Sequence, residues 1–117
     1  MVKRSGELRE DISVLKNGHG LITCINFLEE ADAMKAGRGF VKCIIPPGCS
    51  IGYHQHVGDF ETYYILSGVA DINDNGREDV LHPGDVLVCK DGDWHSIANN
   101  GTEDVVYIAI ILYNHEK

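Results

Sequence analysis

At 117 residues, with 44% hydrophobic residues and a formal net charge of −8, the chain is expected to form one domain around one core. Eighteen Asp and Glu outweigh ten Lys and Arg, with no basic run longer than Lys3-Arg4, so no nucleic-acid partner is expected, because phosphate binding needs a concentrated basic face. The apolar stretches at 43–47 and 105–113 are too short to cross a bilayer and the N-terminus turns polar directly after Arg4; no membrane partner is expected, and the expected location is the cytoplasm.

The predicted elements follow a charged segment that runs to about residue 17. Strands are expected at 20–27, 40–45, 51–56, 61–66, 69–73, 78–81, 85–89, 95–98 and 104–113, each short, rich in Val, Ile or Tyr and bounded by turn residues. One or two helical turns are expected at 28–35, where Glu29, Glu30, Ala31, Ala33 and Met34 favour helix. Pro46-Pro47-Gly48 and Pro83-Gly84-Asp85 punctuate the chain, and Asp74-Asn75-Gly76 and Asn99-Asn100-Gly101 read as hairpin turns. This regular spacing predicts an all-β barrel or sandwich. The last strand is apolar on both faces: Val105, Tyr107, Ala109 and Ile111 on one, Val106, Ile108, Ile110 and Leu112 on the other. One face should fill the barrel. The other needs a cover, either the N-terminal segment or a second subunit, and a homodimer formed by sheet packing around this strand is the expected assembly.

Four cysteines, at 24, 43, 49 and 89, show no CxxC spacing, so neither a zinc ribbon nor a thioredoxin-like pair is indicated. Cys24, Cys43 and Cys89 lie in apolar runs and read as small buried residues. Cys49, in the loop before the histidines, has a lesser claim to line a site.

That loop leads into His54-Gln55-His56, then Glu61, with His95 downstream beyond Pro83-Gly84-Asp85. Two histidines one residue apart share a strand face. The four residues from Val57 to Phe60 suffice for a tight reversal, so Glu61 is expected to begin an antiparallel neighbour facing the same pocket. Three imidazoles and a carboxylate suit a divalent transition metal. Asp59 competes with Glu61 for the carboxylate role, but a turn aspartate usually bonds local backbone amides. His19, His82 and His115 read as surface or loop residues. Tyr63 shares parity with Glu61 and either reaches the metal region, where it is the candidate catalytic residue, or packs in the core; Tyr64 should pack between sheets, and Phe60 and Trp94 flank the ligands.

At these residues the chain resembles the cupin superfamily, whose first motif reads G, five residues, H-x-H, three or four residues, E, six residues, G. Gly48, His54, His56, Glu61 and Gly68 meet that spacing. In the second motif, G, five residues, P-x-G, two residues, H, three residues, N, positions Gly84, Gly92, His95 and Asn99 match, while Lys90 stands where proline is usual. That departure concerns the stiffness of a turn and not a ligand. The resemblance implies a double-stranded β-helix (jelly-roll) barrel with its core at about 38–113, the segment 1–37 packing on it, and one metal, Mn, Fe, Ni, Cu or Zn, held by His54, His56, Glu61 and His95. It implies a metal-dependent enzyme acting on a small oxygenated molecule (dioxygenase, decarboxylase, or sugar isomerase or epimerase), or a non-catalytic module that binds a sugar or organic acid. No positive cluster points to a phosphorylated ligand, although Lys42 or Arg38 could reach one.

Overall fold

The computed structural model describes residues 1–116. Ten strands form two antiparallel sheets: β1 (Glu10–Ser13), β2 (Ile22–Asn26), β3 (Gly37–Ile45), β4 (Ser50–Gln55), β5 (Asp59–Ser67), β6 (Ala70–Asp74), β7 (Arg77–Leu81), β8 (Val86–Cys89), β9 (Trp94–Ala98) and β10 (Val105–Tyr113). The larger sheet runs β1-β2-β3-β10-β5-β8 and the smaller β4-β9-β6-β7. Their inner faces supply one core: Ile22, Cys43, Ile45, Tyr63, Ile65, Leu87, Cys89, Val105, Tyr107 and Ala109 from the first, Ile51, Ala70, Ile72, Leu81 and Ile97 from the second. No helix is long and apolar enough to cross a membrane among the described residues.

Local chemistry explains most of the turns. Asn75 and Gly76 both take positive φ, the conformation that a two-residue hairpin between β6 and β7 requires. Asn99-Asn100-Gly101 makes no such hairpin; it opens a loop that carries the chain from β9 in one sheet to β10 in the other. The expected helix at 28–35 reduces to one 3-10 turn at Glu30–Ala33, ended by left-handed Met34 and Lys35. So short a segment forms too few hydrogen bonds to offset helix nucleation.

The charged N-terminal segment contributes a strand. Glu10–Ser13 pairs with β2 at the sheet edge, with Asn26 Nδ2 bonding the Arg9 carbonyl and Arg9 paired with Asp11 and Glu29. The following residues strap the sheets together, the Leu15 carbonyl accepting from Gly18 N and Gly52 N. A Cβ on Gly52 would collide with the Lys16 carbonyl oxygen, so that crossing requires glycine. The N-terminal segment thus extends the large sheet, and the outer face of β10 remains only half-buried at Val106, Ile108, Ile110 and Leu112.

Two bulges bear on the site. In β4, Ile51 pairs with Ile97 but His54 pairs with His95, so β4 carries one extra residue at Gly52-Tyr53. This re-phases the strand: Ile51 and His54, three apart, both face inward. In β3, Gly39 pairs with Ile111 and Gly37 with Leu112, leaving Arg38 as the extra residue.

Candidate metal centre

His54 lies on β4, His56 just past its end, Glu61 on β5 and His95 on β9. The predicted hairpin between His56 and Glu61 does not form, because β4 and β5 belong to opposite sheets. The turn, with Gly58 at φ +79°, steps across the sandwich and brings Glu61 to the histidines from the facing wall. Among the described residues, these four form the group of His, Cys, Asp or Glu side chains able to hold a metal ion, with donor atoms all within 4.8 Å of one another.

Each histidine except His95 is oriented through its outer nitrogen. His54 Nδ1–H donates to the Gly52 carbonyl at 2.7 Å, and a carbonyl can only accept, so the proton sits on Nδ1 and Nε2 presents a lone pair. His56 Nδ1–H donates to Asp59 Oδ1 at 2.6 Å, and the other oxygen of that carboxylate accepts from Arg38 Nε at 2.7 Å. His56 Nε2 therefore also points inward as a lone pair, 3.1 Å from Glu61 Oε1 and 3.2 Å from His95 Nε2. His95 Nε2 lies 3.2 Å from both His54 Nε2 and Glu61 Oε1, and its buried Nδ1 has no partner among the described residues.

This donor set fits a divalent transition metal. Lone pairs and a carboxylate facing one another at such distances repel unless a proton or a metal cation lies between them. Ligands about 2.1 Å from one ion lie about 3.0 Å apart at a right angle and about 3.4 Å apart at the tetrahedral angle. The observed 3.1–3.2 Å separations fall between these two values, the range expected of ligands that share one ion.

The electrostatics agree. Burial works to raise the Glu61 pKa, yet the contacts with His56 and His95 hold it at about 2, so it is a carboxylate. His56 is pushed up, chiefly by its contact with Glu61, while burial pushes His54 down. In the metal-free protein His56 is consequently the first of these two to take a proton as pH falls, starting above the ordinary imidazole value of 6.5. Because ligation displaces that proton, apparent metal affinity should already weaken as pH drops through the raised His56 pKa, and steepen once His54 joins at lower pH. Calorimetric titrations with metal from pH 8 to 5 check this; a flat profile would contradict it.

The other candidates sort by position. Tyr63 is buried, stacked on His95 with ring centroids 5.2 Å apart, and in the wall of the pocket that opens onto the donors. Burial, then the charge of Glu61, raises its pKa well above the usual phenol value, so it keeps its proton. Asp59 bonds no local amide with its side chain; it is buried, and it clamps His56. Sequence reasoning did not anticipate that bond or its partner Arg38, although a carboxylate three residues beyond a histidine ligand was visible. Tyr64 points outward and is exposed, Trp94 stacks on Tyr53 at the surface, and Phe60 is half-buried. Cys49 packs at the edge of the core, outside the lining of this pocket. His19, His82 and His115 are exposed. Lys42 points outward with its pairing neighbour Ile108, while the bulge turns Arg38 inward.

The pocket measures about 620 Å³. His54, Glu61 and Tyr63 form its inner wall, and Arg38, whose side chain is 42% exposed, forms its rim together with Glu10–Ser13 of β1 and Leu15 and Lys16 of the strap.

The sequence profile of the cupin domain family matches residues 41–111. An oxalate-binding protein of Thermotoga maritima is 38% identical over 113 residues, 96% of this chain and 93% of the relative. The crystal structure of a predicted oxalate decarboxylase from Thermotoga maritima superposes with a TM-score of 0.91 at 35% identity, covering 97% of this chain and 100% of that one. A putative sugar phosphate isomerase from Acidithiobacillus ferrooxidans superposes with a TM-score of 0.66 at 26% identity, over 79% of this chain and 60% of that one.

Proposed function

We propose that this chain, which belongs to the cupin family, binds oxalate or a similarly small oxygenated anion at a divalent transition metal held by His54, His56, Glu61 and His95. The observation that carries this reading is Arg38, turned by its bulge into the same pocket as the donors. Its Nε holds Asp59, and its other N–H groups make no hydrogen bond within the chain among the described residues, which leaves them for a carboxylate. Identity to an oxalate-binding relative over nearly the whole chain supports that ligand class. Held by these four residues, a metal would supply Lewis acidity and positive charge for a small dianion. Asp59 keeps the His56 lone pair aimed inward, Arg38 pairs with the far carboxylate oxygens, and Tyr63 offers a proton-bearing hydroxyl in the wall.

Calorimetry of oxalate binding tests this. Metal-loaded protein should bind oxalate, metal-free protein should not, and Arg38→Met at equal metal loading should weaken binding by about 30-fold, from losing about 2 kcal/mol of charged hydrogen bonding. Binding unaffected by metal removal would overturn the proposal. A second reading, decarboxylation, is favoured by Tyr63: breaking the C–C bond of oxalate releases CO₂ and leaves a carbon that must take a proton, and Tyr63 retains one in the pocket. Formate released by the wild type and not by Tyr63→Phe would select it.

A second copy of this chain is the partner we propose for the outer face of the large sheet. Half-buried Ile108 and Ile110 on β10 are flanked there by exposed Phe40, Tyr64, Leu66, Val86 and Val88, an apolar surface interrupted by Lys42 and Thr62. Light scattering should give twice the 12.9 kDa chain mass at micromolar concentration. A stable monomer would contradict the pairing.

A further inference from the structure

The same pocket holds a second reactive pair. On β2 and β3, Cys24 stands directly opposite Cys43, and their Sγ atoms are 3.5 Å apart. Both are free thiols and both line the pocket wall, Cys24 partly exposed and Cys43 buried. Directly opposed residues of antiparallel strands have Cα atoms about 4.5 or 5.5 Å apart, and both values lie within the range of about 4.4–6.8 Å that a disulfide spans. Closing from van der Waals contact to a bond of about 2.05 Å needs side-chain rotation and no movement of the strands.

We propose that Cys24 and Cys43 form an oxidation site for small hydroperoxides that enter the pocket, closing to a reversible disulfide in its wall. Cys24 is the attacking thiol, since it is the one that a small molecule in the pocket can reach. Its thiolate attacks the peroxide O–O bond; an S–O bond forms, the O–O bond breaks, and the leaving oxygen departs with a proton as water or an alcohol. The sulfur of Cys43 then attacks the Cys24 sulfenic acid; an S–S bond forms, the S–O bond breaks, and hydroxide leaves as water with the Cys43 proton. The dithiol loses two electrons and the hydroperoxide gains them, so hydrogen peroxide yields one disulfide and two waters. Neither of the other cysteines is so placed: Cys89 is fully buried with its Sγ on the Asp93 carbonyl, and Cys49 is packed against Gly20. The bridge would tie the β1–β2 hairpin, whose residues form the pocket rim, to β3. In a reducing compartment such a disulfide is transient and sensing in character. The site requires no metal and stands apart from the oxalate reading.

Metal-free wild-type protein is treated with a small excess of hydrogen peroxide, denatured, alkylated with a maleimide and weighed intact. Two of the four thiols should escape alkylation, peptide mapping should join Cys24 to Cys43 within one chain, and dithiothreitol should restore all four. Cys43→Ser should instead accumulate a Cys24 sulfenic acid that dimedone traps. Four alkylated thiols in the treated wild type, or a bridge that uses Cys49 or Cys89, would overturn the proposal.

Discussion

His95→Ala should weaken metal binding by about 100-fold or more, with His54→Ala close behind and His115→Ala without effect. His95 is fully buried, and its Nε2 lies within 3.2 Å of the other three donor atoms, so it is the ligand that adjoins all the rest. Structural zinc sites with four protein ligands are worth about 10–16 kcal/mol at neutral pH, or about 3 kcal/mol per ligand, and each 1.4 kcal/mol is tenfold in affinity. Truncating this ring also leaves His54, His56 and Glu61 without a common neighbour. His115 is exposed and its Nε2 meets the Lys35 carbonyl at 3.3 Å, so it serves as the control. Titration with a fluorescent competitor chelator resolves these affinities. Equal affinities in all three variants would remove the ligand assignment.

Asn99→Ala should destabilise the fold by about 3 kcal/mol, without touching the donor atoms. The Asn99 side chain is 1% exposed, and its Nδ2 donates to the carbonyls of Ile45 (2.8 Å) and Glu103 (2.7 Å) while Oδ1 accepts from Gly101 N at 3.0 Å. Its backbone bonds Cys49 and Gly48 as well, so one residue ties the end of β9 to the end of β3 and to the loop that launches β4. Alanine leaves two carbonyls and one N–H without partners, at about 1 kcal/mol or more each. Near the midpoint of a domain this size that corresponds to a fall in Tm of roughly 10 °C or more. Asn99→Asp should not rescue it, since a carboxylate cannot donate to the Ile45 and Glu103 carbonyls. Urea unfolding of the metal-free proteins measures the difference, and a loss under 1 kcal/mol would show that water replaces the side chain.

What could be read from the sequence, and what could not, follows from the physics of each element. The two histidines and the glutamate were legible because ligand-type residues stood at strand spacing beside strong turn residues, and Asn75-Gly76 was legible because few other pairs accept positive φ at both positions. Strand β1 was not, since Glu10 and Asp11 carry no apolar alternation; an edge strand is held by pairing with β2, and burial adds little. Whether the turn after His56 returns in the same sheet or crosses to the other is a question of long-range pairing that four intervening residues cannot decide. Arg38 and Asp59 were hidden for a different reason. Period-two reasoning puts Arg38 on the same outer face as Lys42, and only the bulge at Gly37–Gly39, visible in the register with β10, turns it inward to meet Asp59.

The most direct test of a metal centre built from His54, His56, Glu61 and His95 is elemental analysis of the untagged protein, purified without chelator and compared with His54→Ala. One equivalent of a divalent transition metal per chain, lost in the variant, is the predicted result. No metal in the wild type, even after reconstitution with manganese, iron and zinc at pH 8, would contradict it.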